Sequence, residues 1–279
     1  MKQKTAKQYH AEIIRNEKIA EDHFLVTLHF PRAGNLIKPG QFFNVKVKEG
    51  TAPLLRRPLG VHDVQKNTLQ MLYKKIGPAT TILSHKRKNE TLDILGPLGN
   101  GFKFNSSLGN RPSPVILVAG GHGAAPLFYL AKSLIKKGIK KQNISIVMGA
   151  STKKHIMAQS KFVKLGLKVF IATEDGSKGH KGLVTDLLTN IMRRTKDDRR
   201  YATDDMRPTI FACGPNPMLK AVANIAGKYK VPCQVSMEGY MGCGTGMCMG
   251  CAVNTTKGNK LVCKDGPVFN AEDIIWMKR

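Results

Sequence analysis

"PVILVAGGHGAAPLFYLAKSLIKKG", residues 114–138, sets a continuous apolar run, a glycine-rich turn and an amphipathic segment in direct succession. The run "PVILVA" has no polar alternation, as expected of a strand buried on both faces. After "GGHGAAP", residues Leu127, Leu130, Ala131, Leu134 and Ile135 follow the i, i+3, i+4, i+7, i+8 spacing of a helix with one buried face, and Gly138 is placed to stop it. The order strand, turn, helix recurs with "ISIVMGAS", with "LKVFIATEDG" and with "PTIFACGPNPMLKAVANIAGKY". In the last of these Met218, Val222, Ile225 and Tyr229 are expected to line one helical face. Such alternation predicts a parallel sheet covered on both sides by helices. The charged stretch "RRTKDDRRYATDDMR", residues 193–207, reads as a surface loop or insertion within that unit.

Upstream the pattern is different. Residues 8 to about 103 read as short strands, "QYHAEIIRNEKI", "HFLVTLHF", "QFFNVKV", "GVHDVQ", "TLQMLYKKI" and "ETLDILG", punctuated by Pro39-Gly40 and Gly96-Pro97. Strands of that length and number predict a closed or nearly closed antiparallel barrel. The expected class is therefore multidomain, α+β and α/β: an antiparallel β-barrel over residues 1–105, a parallel-sheet α/β domain over 106–230, and a small cysteine-rich segment over 231–279. At 279 residues and 42% hydrophobic composition the chain can bury enough surface for two or three such domains.

The third segment contains "MGCGTGMCMGCAVNTTKGNKLVCKDGPVF", residues 241–269, with four of the six cysteines. Cys243, Cys248, Cys251 and Cys263 are spaced C-x4-C-x2-C-x11-C. Structural zinc sites usually pair two C-x2-C knuckles, and only one is present. The spacing matches the plant-type ferredoxin arrangement, which holds a [2Fe-2S] cluster, and the glycines around it permit backbone N–H groups to approach sulfur. Zinc is the competing reading. Cys213 and Cys233 follow apolar runs and read as ordinary buried thiols.

No apolar run approaches the roughly 20 residues that cross a bilayer, and "MKQKTAKQYH" has basic residues without the apolar core of a signal peptide. The expected location is the cytoplasm, where clustered cysteines bind metal more readily than they form disulfides. A net charge of +26 raises nucleic acid or an anionic membrane as partners. The basic residues are spread along the chain, in "SHKRKN", "LIKKGIKKQN" and "RRTKDDRR", with few aromatic residues among them. They read as solvated surface, so neither partner is expected. A basic zinc module that contacts nucleic acid is the remote alternative. An acidic partner protein or phosphorylated cofactors would feel the same field.

A cluster moves one electron at a time, so a hydride-handling site is sought in the first two units. In the barrel, "RRPLGV" (56–61) joins an arginine, a rigid proline and a strand entry, where a guanidinium could meet a flavin. In "YKKIGPATT", Gly77 to Thr80 can open a short helix toward a pyrophosphate, or form a simple capped turn. In the second unit Gly120, Gly121 and Gly123 lie between strand and helix, where a nucleotide can approach the backbone, although the loop is not G-x-G-x-x-G. Cys213, Gly214 and Pro215 form a second loop expected at the same sheet edge. Glu174 and Asp175 could bond ribose hydroxyls or serve as turn carboxylates.

Taken in order, "RRPLG", "GPAT", "GGHGAAP", "CGPNPM" and "GCGTGMCMGC...VCKDGPVF" resemble the ferredoxin-reductase-type flavoproteins. With the closing "AEDIIW" they resemble, within that group, the electron-transfer subunits of NAD-dependent dihydroorotate dehydrogenases. The resemblance spans nearly all of residues 8–276. It implies FAD on the barrel, NAD on the second domain and a [2Fe-2S] cluster leading to an FMN-containing catalytic subunit, in a heterotetramer of two plus two. It implies flavin contacts at Arg57, Pro58, Leu59 and Gly60, at Leu72, Tyr73 and Lys74, and at Ala79 and Thr80, with the four cysteines as cluster ligands. No catalytic base is implied. Two positions depart from the family's pattern: Gly60 stands where serine or threonine is usual, and Ala79 where glycine is usual. Subunits of ferredoxin:NADP or hydrogenase-type assemblies share the same layout and are the alternative.

Overall fold

Six strands close into a barrel in the first third of the chain: β1 (Lys7–Ala20), β2 (His23–His29), β3 (Phe42–Lys46), β4 (Arg57–Gln65), β5 (Thr68–Lys74) and β6 (Thr91–Leu98). Their order around the barrel is β1-β2-β5-β4-β3-β6, every neighbour pair antiparallel. A short helix α1 (Ala33–Leu36) precedes β3, and α2 (Pro78–His85) links β5 to β6. Ile13, Val26, Phe43, Val61, Met71 and Ile94 point inward and are wholly buried. The computed structural model describes residues 6–31, 33–104, 113–197 and 207–276, so the expected boundary at 105/106 lies outside the described residues.

The second unit contains β7 (Val115–Gly120), α3 (Ala124–Lys136), β8 (Ile144–Ala150), α4 (Gln159–Lys164), β9 (Lys168–Thr173), β10 (His180–Lys181), α5 (Val184–Asp197), β11 (Thr209–Cys213), α6 (Asn216–Tyr229) and β12 (Cys233–Ser236). All six residues of β7 are buried, in accord with its unbroken apolar sequence. The helix after it begins at Ala124, three residues before the expected Leu127, because Pro126 is tolerated in a first helical turn. It ends where Gly138 turns the chain with φ +92. The helix α5 carries Val184, Leu188 and Met192 on its buried face and runs to Asp197, so the start of the expected loop 193–207 is helical; residues 198–206 lie outside the described residues. In α6 the fully buried stripe is Leu219, Val222 and Ala226, with Met218, Ile225 and Tyr229 flanking it half-buried; the helix is turned by about one residue from the expected face.

The remaining strands are the hairpin β13 (Ala252–Thr255) and β14 (Gly258–Leu261), then β15 (Val268–Asn270). The large sheet runs β10-β9-β8-β7-β11-β12-β15, parallel except for β15, which lies antiparallel on β12. Thus two strands beyond residue 230 complete the sheet: β12, reached through α6 and parallel to β11, and β15, where the terminal segment folds back onto the edge. Among the described residues no helix is long and apolar enough to cross a membrane.

Barrel and sheet meet through β4 and α3. His62 on β4 is wholly buried, with its Nδ1 3.0 Å from the Ala125 carbonyl and its Nε2 2.7 Å from Lys161 Nζ. A carbonyl only accepts, so Nδ1–H donates and Nε2 accepts from the ammonium. Burial, reinforced by Lys161, lowers the His62 pKa to about 3. The unfolded chain takes up this proton near pH 6.5, while the folded chain stays neutral until about pH 3. Stability is therefore expected to fall as pH drops from about 6.5 toward 3, at up to about 1.4 kcal/mol per pH unit from this group. Thermal midpoints across that window check this; His62→Gln should flatten the slope.

Candidate functional site

The sheet's strand order reverses between β7 and β11, and the two loops singled out in the sequence meet at the carboxyl ends of these strands. A Cβ at Gly123 would lie 1.8 Å from the Cys213 carbonyl oxygen, and one at Gly120 would lie 2.6 Å from Met218 Sδ and 2.9 Å from Pro215 Cδ. One at Gly214 would lie 2.6 Å from Met218 Cε and 3.0 Å from the Gly120 backbone. These three glycines let the loops interlock. Gly121 differs: its φ is +50 and a Cβ there would meet nothing within 4 Å, so its backbone borders open space. Cys213 is buried, and burial pushes its thiol up to about 12, so it presents no thiolate. Between the glycines stands His122, whose Nε2 is buried with no hydrogen-bond partner among the described residues. Its pKa is lowered to about 4 by burial and then by His23. At the end of β9, Asp175 accepts from the Ser177 N–H and hydroxyl at 2.9 and 2.6 Å and serves its turn; Glu174 is exposed.

On the barrel the two arginines of "RRPLG" have different roles. Arg56 donates to both carboxylate oxygens of Asp93 at 3.0 and 2.6 Å and is a structural pair. Arg57 donates only to the carbonyls of Leu55 and Arg56. Among the described residues it has no carboxylate partner. Leu59 is buried, while Pro58 and Gly60 are half-buried. Cβ atoms at Gly60 and Gly77 would meet nothing within 4 Å. The Thr80 hydroxyl accepts from the Gly77 and Ile76 N–H groups at 3.2 and 2.9 Å and folds back as a cap. The first N–H groups of α2, on Ala79 and Thr80, have no acceptor within the helix. Tyr73 points into the barrel, stacked on Phe24 and donating to Asn16 Oδ1 at 3.0 Å, while Leu72 faces the sheet domain. Lys74 is half-buried. The methyl of Ala79 is buried in the barrel core. A guanidinium with no carboxylate partner among the described residues, beside helix N–H groups without an intrahelical acceptor, suits a flavin nucleotide. Because the space at Gly60 is free, Gly60→Ser is expected to change stability by less than about 0.5 kcal/mol. By adding one hydroxyl it is expected to tighten FAD up to about tenfold, measurable by flavin titration.

The cysteine loop is built around sulfur. Cys243 Sγ accepts from the N–H groups of Thr245, Met247 and Cys248 at 3.4, 3.3 and 3.4 Å, and Cys248 Sγ accepts from the Cys243 N–H at 3.5 Å. Cys251 Sγ accepts from the Cys263 N–H at 3.4 Å. The cysteines thus associate as two pairs, 243 with 248 and 251 with 263. Burial raises the Cys243 thiol, but the N–H groups of Thr245 and Cys248 outweigh it and bring it to about 5. Cβ atoms at Gly242 and Gly250 would sit 3.3 and 3.6 Å from Cys248 Sγ. Among the described residues no three His, Cys, Asp or Glu converge as on a single ion. Four thiols in two pairs under backbone N–H groups match the donor set of a two-iron cluster.

Four residues at these sites went unread in the sequence. Asn44 on β3, 1% exposed, donates to the Cys243 carbonyl at 3.1 Å, and a Cβ at Gly244 would lie 1.9 Å from its Nδ2. In the barrel register Asn44 stands opposite Pro58 of "RRPLG", so the cluster loop rests on the strand next to that segment. A polar residue in the apolar "QFFNVKV" was its signal. His122 was signalled by its place in a loop of small residues; His23 and His62 had no local signal.

The family described as "Iron-sulfur cluster binding domain of dihydroorotate dehydrogenase B" matches residues 238–275, and "Oxidoreductase NAD-binding domain" matches residues 117–224. The electron transfer subunit of dihydroorotate dehydrogenase B (NAD(+)) from Geobacillus sp. (strain WCH70) is 38% identical over 274 residues, 96% of this chain and 99% of that protein. Its counterpart from Bacillus pumilus (strain SAFR-032) is 37% identical, covering 96% and 98%. Among solved structures, an NADH-dependent reduced ferredoxin-NADP oxidoreductase studied for flavin-based electron bifurcation is 33% identical with a TM-score of 0.78, covering 95% of this chain and 90% of that one. A ferredoxin NADP+ reductase from Neisseria gonorrhoeae with bound FAD and NADP shares the fold at 15% identity and a TM-score of 0.64, covering 80% and 92%. Barrel, switch-point sheet and cysteine loop, with identity over nearly the whole length, place the chain in the family of dihydroorotate dehydrogenase B (NAD+) electron transfer subunits.

Proposed function

We propose that this chain carries electrons released from dihydroorotate on a separate FMN-containing catalytic subunit to NAD+, in pyrimidine (UMP) biosynthesis. The observation that carries the reading is the Asn44 bridge, which joins the cluster loop to the strand paired with Pro58. Residues 1–105 form the flavin barrel, 106–230 the NAD domain and 231–279 the cluster segment, whose strands β12 and β15 extend the NAD-domain sheet. Arg57, Pro58, Leu59 and Gly60 hold FAD with the N–H groups at Ala79 and Thr80; Leu72, Tyr73 and Lys74 border it through their main chain. Gly120, Gly121, Gly123, Cys213, Gly214 and Pro215 shape the NAD site. Cys243, Cys248, Cys251 and Cys263 hold a [2Fe-2S] cluster. When bound, the flavin converts single electrons at the cluster into hydride exchange with NAD. The protein supplies distance and orientation, and no residue acts as a base.

Around the cysteine loop Tyr240, Met247 and Met249 are 97%, 84% and 56% exposed, an apolar rim suited to a docking subunit. A heterotetramer of two plus two, in the cytoplasm, fits this role. The test is co-purification of the chain with its partner and assay of orotate formation against NAD+. NADH-dependent reduction of ferredoxin without orotate formation favours the alternative role suggested by the 33% identical ferredoxin-NADP oxidoreductase.

A further inference from the structure

The proposed reaction needs the nicotinamide and flavin rings within about 3.5 Å of each other, and a misplacement of about 1 Å costs about a hundredfold in rate. The residues read as holding them lie on different units, the flavin group on β4 and the nucleotide turn at Gly121–Gly123 ahead of α3. Two barrel histidines grip that turn and the helix behind it. His23, the first residue of β2 and 3% exposed, stacks on His122 with ring centroids 4.4 Å apart and an angle of 20°. His62, two residues beyond Gly60 on β4, donates to the Ala125 carbonyl at 3.0 Å and accepts from Lys161 at 2.7 Å. Its ring stacks on Phe128 at 5.1 Å and 21°. The next residue, Asp63, 4% exposed, accepts from Lys132 at 2.6 and 2.8 Å.

His122, Ala125, Phe128 and Lys132 follow one another along the turn and one side of α3. A single strand therefore carries the flavin residues at one end and the clasp on the nucleotide helix at the other. Both His62 ring nitrogens are satisfied across the junction, Nδ1 by α3 and Nε2 by α4, so any sliding of α3 along β4 takes the Ala125 acceptor away from the buried Nδ1–H.

We propose that His62 and His23 are positioning residues for hydride transfer: they fix the nucleotide turn against the flavin strand. This rests on the flavin and nucleotide reading above. The test uses the full chain loaded with FAD and cluster, mixed rapidly and anaerobically with NADH. In His62→Ala the limiting rate of flavin reduction is expected to fall at least about tenfold, while the half-saturating NADH concentration changes less than about threefold. The long-wavelength absorbance of the nicotinamide–flavin pair should weaken. His62→Gln, which can still accept from Lys161, should recover part of the rate, and His23→Ala should show the same split. Reduction of both flavin and cluster by dithionite, which bypasses the nicotinamide, should be unchanged, which a merely loosened fold would not give. A limiting rate within about twofold of wild type in FAD-loaded His62→Ala and His23→Ala overturns the clasp alone. Wild-type protein that binds FAD but is not reduced by NADH overturns the functional reading and the clasp with it.

Discussion

Gly123→Ala is expected to destabilise the chain by about 3 kcal/mol or more and to abolish tight NADH binding, because the added methyl would lie 1.8 Å from the Cys213 carbonyl oxygen. That contact is with backbone, not the end of a flexible side chain, so β7 and β11 must separate at their carboxyl ends. The same separation would draw Gly120 away from Pro215 and Met218, which now lie at the distance only glycine permits. Thermal unfolding and NADH titration check both parts. Gly121→Ala is the informative contrast: it meets no atom within 4 Å and bears only the cost of a φ of +50. It should destabilise by about 1 kcal/mol and leave β7 against β11.

Cys248→Ser is expected to abolish the iron-sulfur absorbance and to slow dihydroorotate-driven NAD+ reduction at least about a hundredfold. Cys248 is exposed, so serine should fold as cysteine does, and the loss can be assigned to the cluster. FAD content and NADH-driven flavin reduction should persist, since Arg57, Gly60 and the switch-point loops do not depend on this residue. Absorption spectra and rapid mixing of the variant with NADH separate the two effects.

Much of this architecture is written locally. The unbroken apolar run before Gly120 requires a doubly covered strand, and the cysteine spacing requires a particular loop, so both were legible without coordinates. What was not legible depends on residues distant in the chain. The glycines at 120, 123 and 214 gave no sign that they pack against each other's loops about ninety residues apart, nor that Gly121, of these four, is the one bordering open space. Adjacency in "RRPLG" gave no sign that Asp93 on β6 would pair with Arg56, because that contact is made only when the barrel closes. Sequence periodicity placed α6 one residue off because its half-buried side chains are as apolar as its buried ones. That the segment beyond residue 230 would add strands to the second unit's sheet was not legible for a related reason: β15 reaches the sheet edge only after the cysteine loop has folded back. His62 gave no local sign at all, since Ala125 and Lys161 are 63 and 99 residues away.

Cluster and flavin of this chain are expected to lie in series between dihydroorotate and NAD+. The most direct measurement is an anaerobic spectrum of the complex with its catalytic subunit, taken after dihydroorotate is added without NAD+ and again after NAD+ follows. Bleaching of both the flavin and the iron-sulfur bands, with NAD+ restoring both, is the predicted result. Full-rate NAD+ reduction by dihydroorotate in a complex whose cluster absorbance is absent or unresponsive would contradict it.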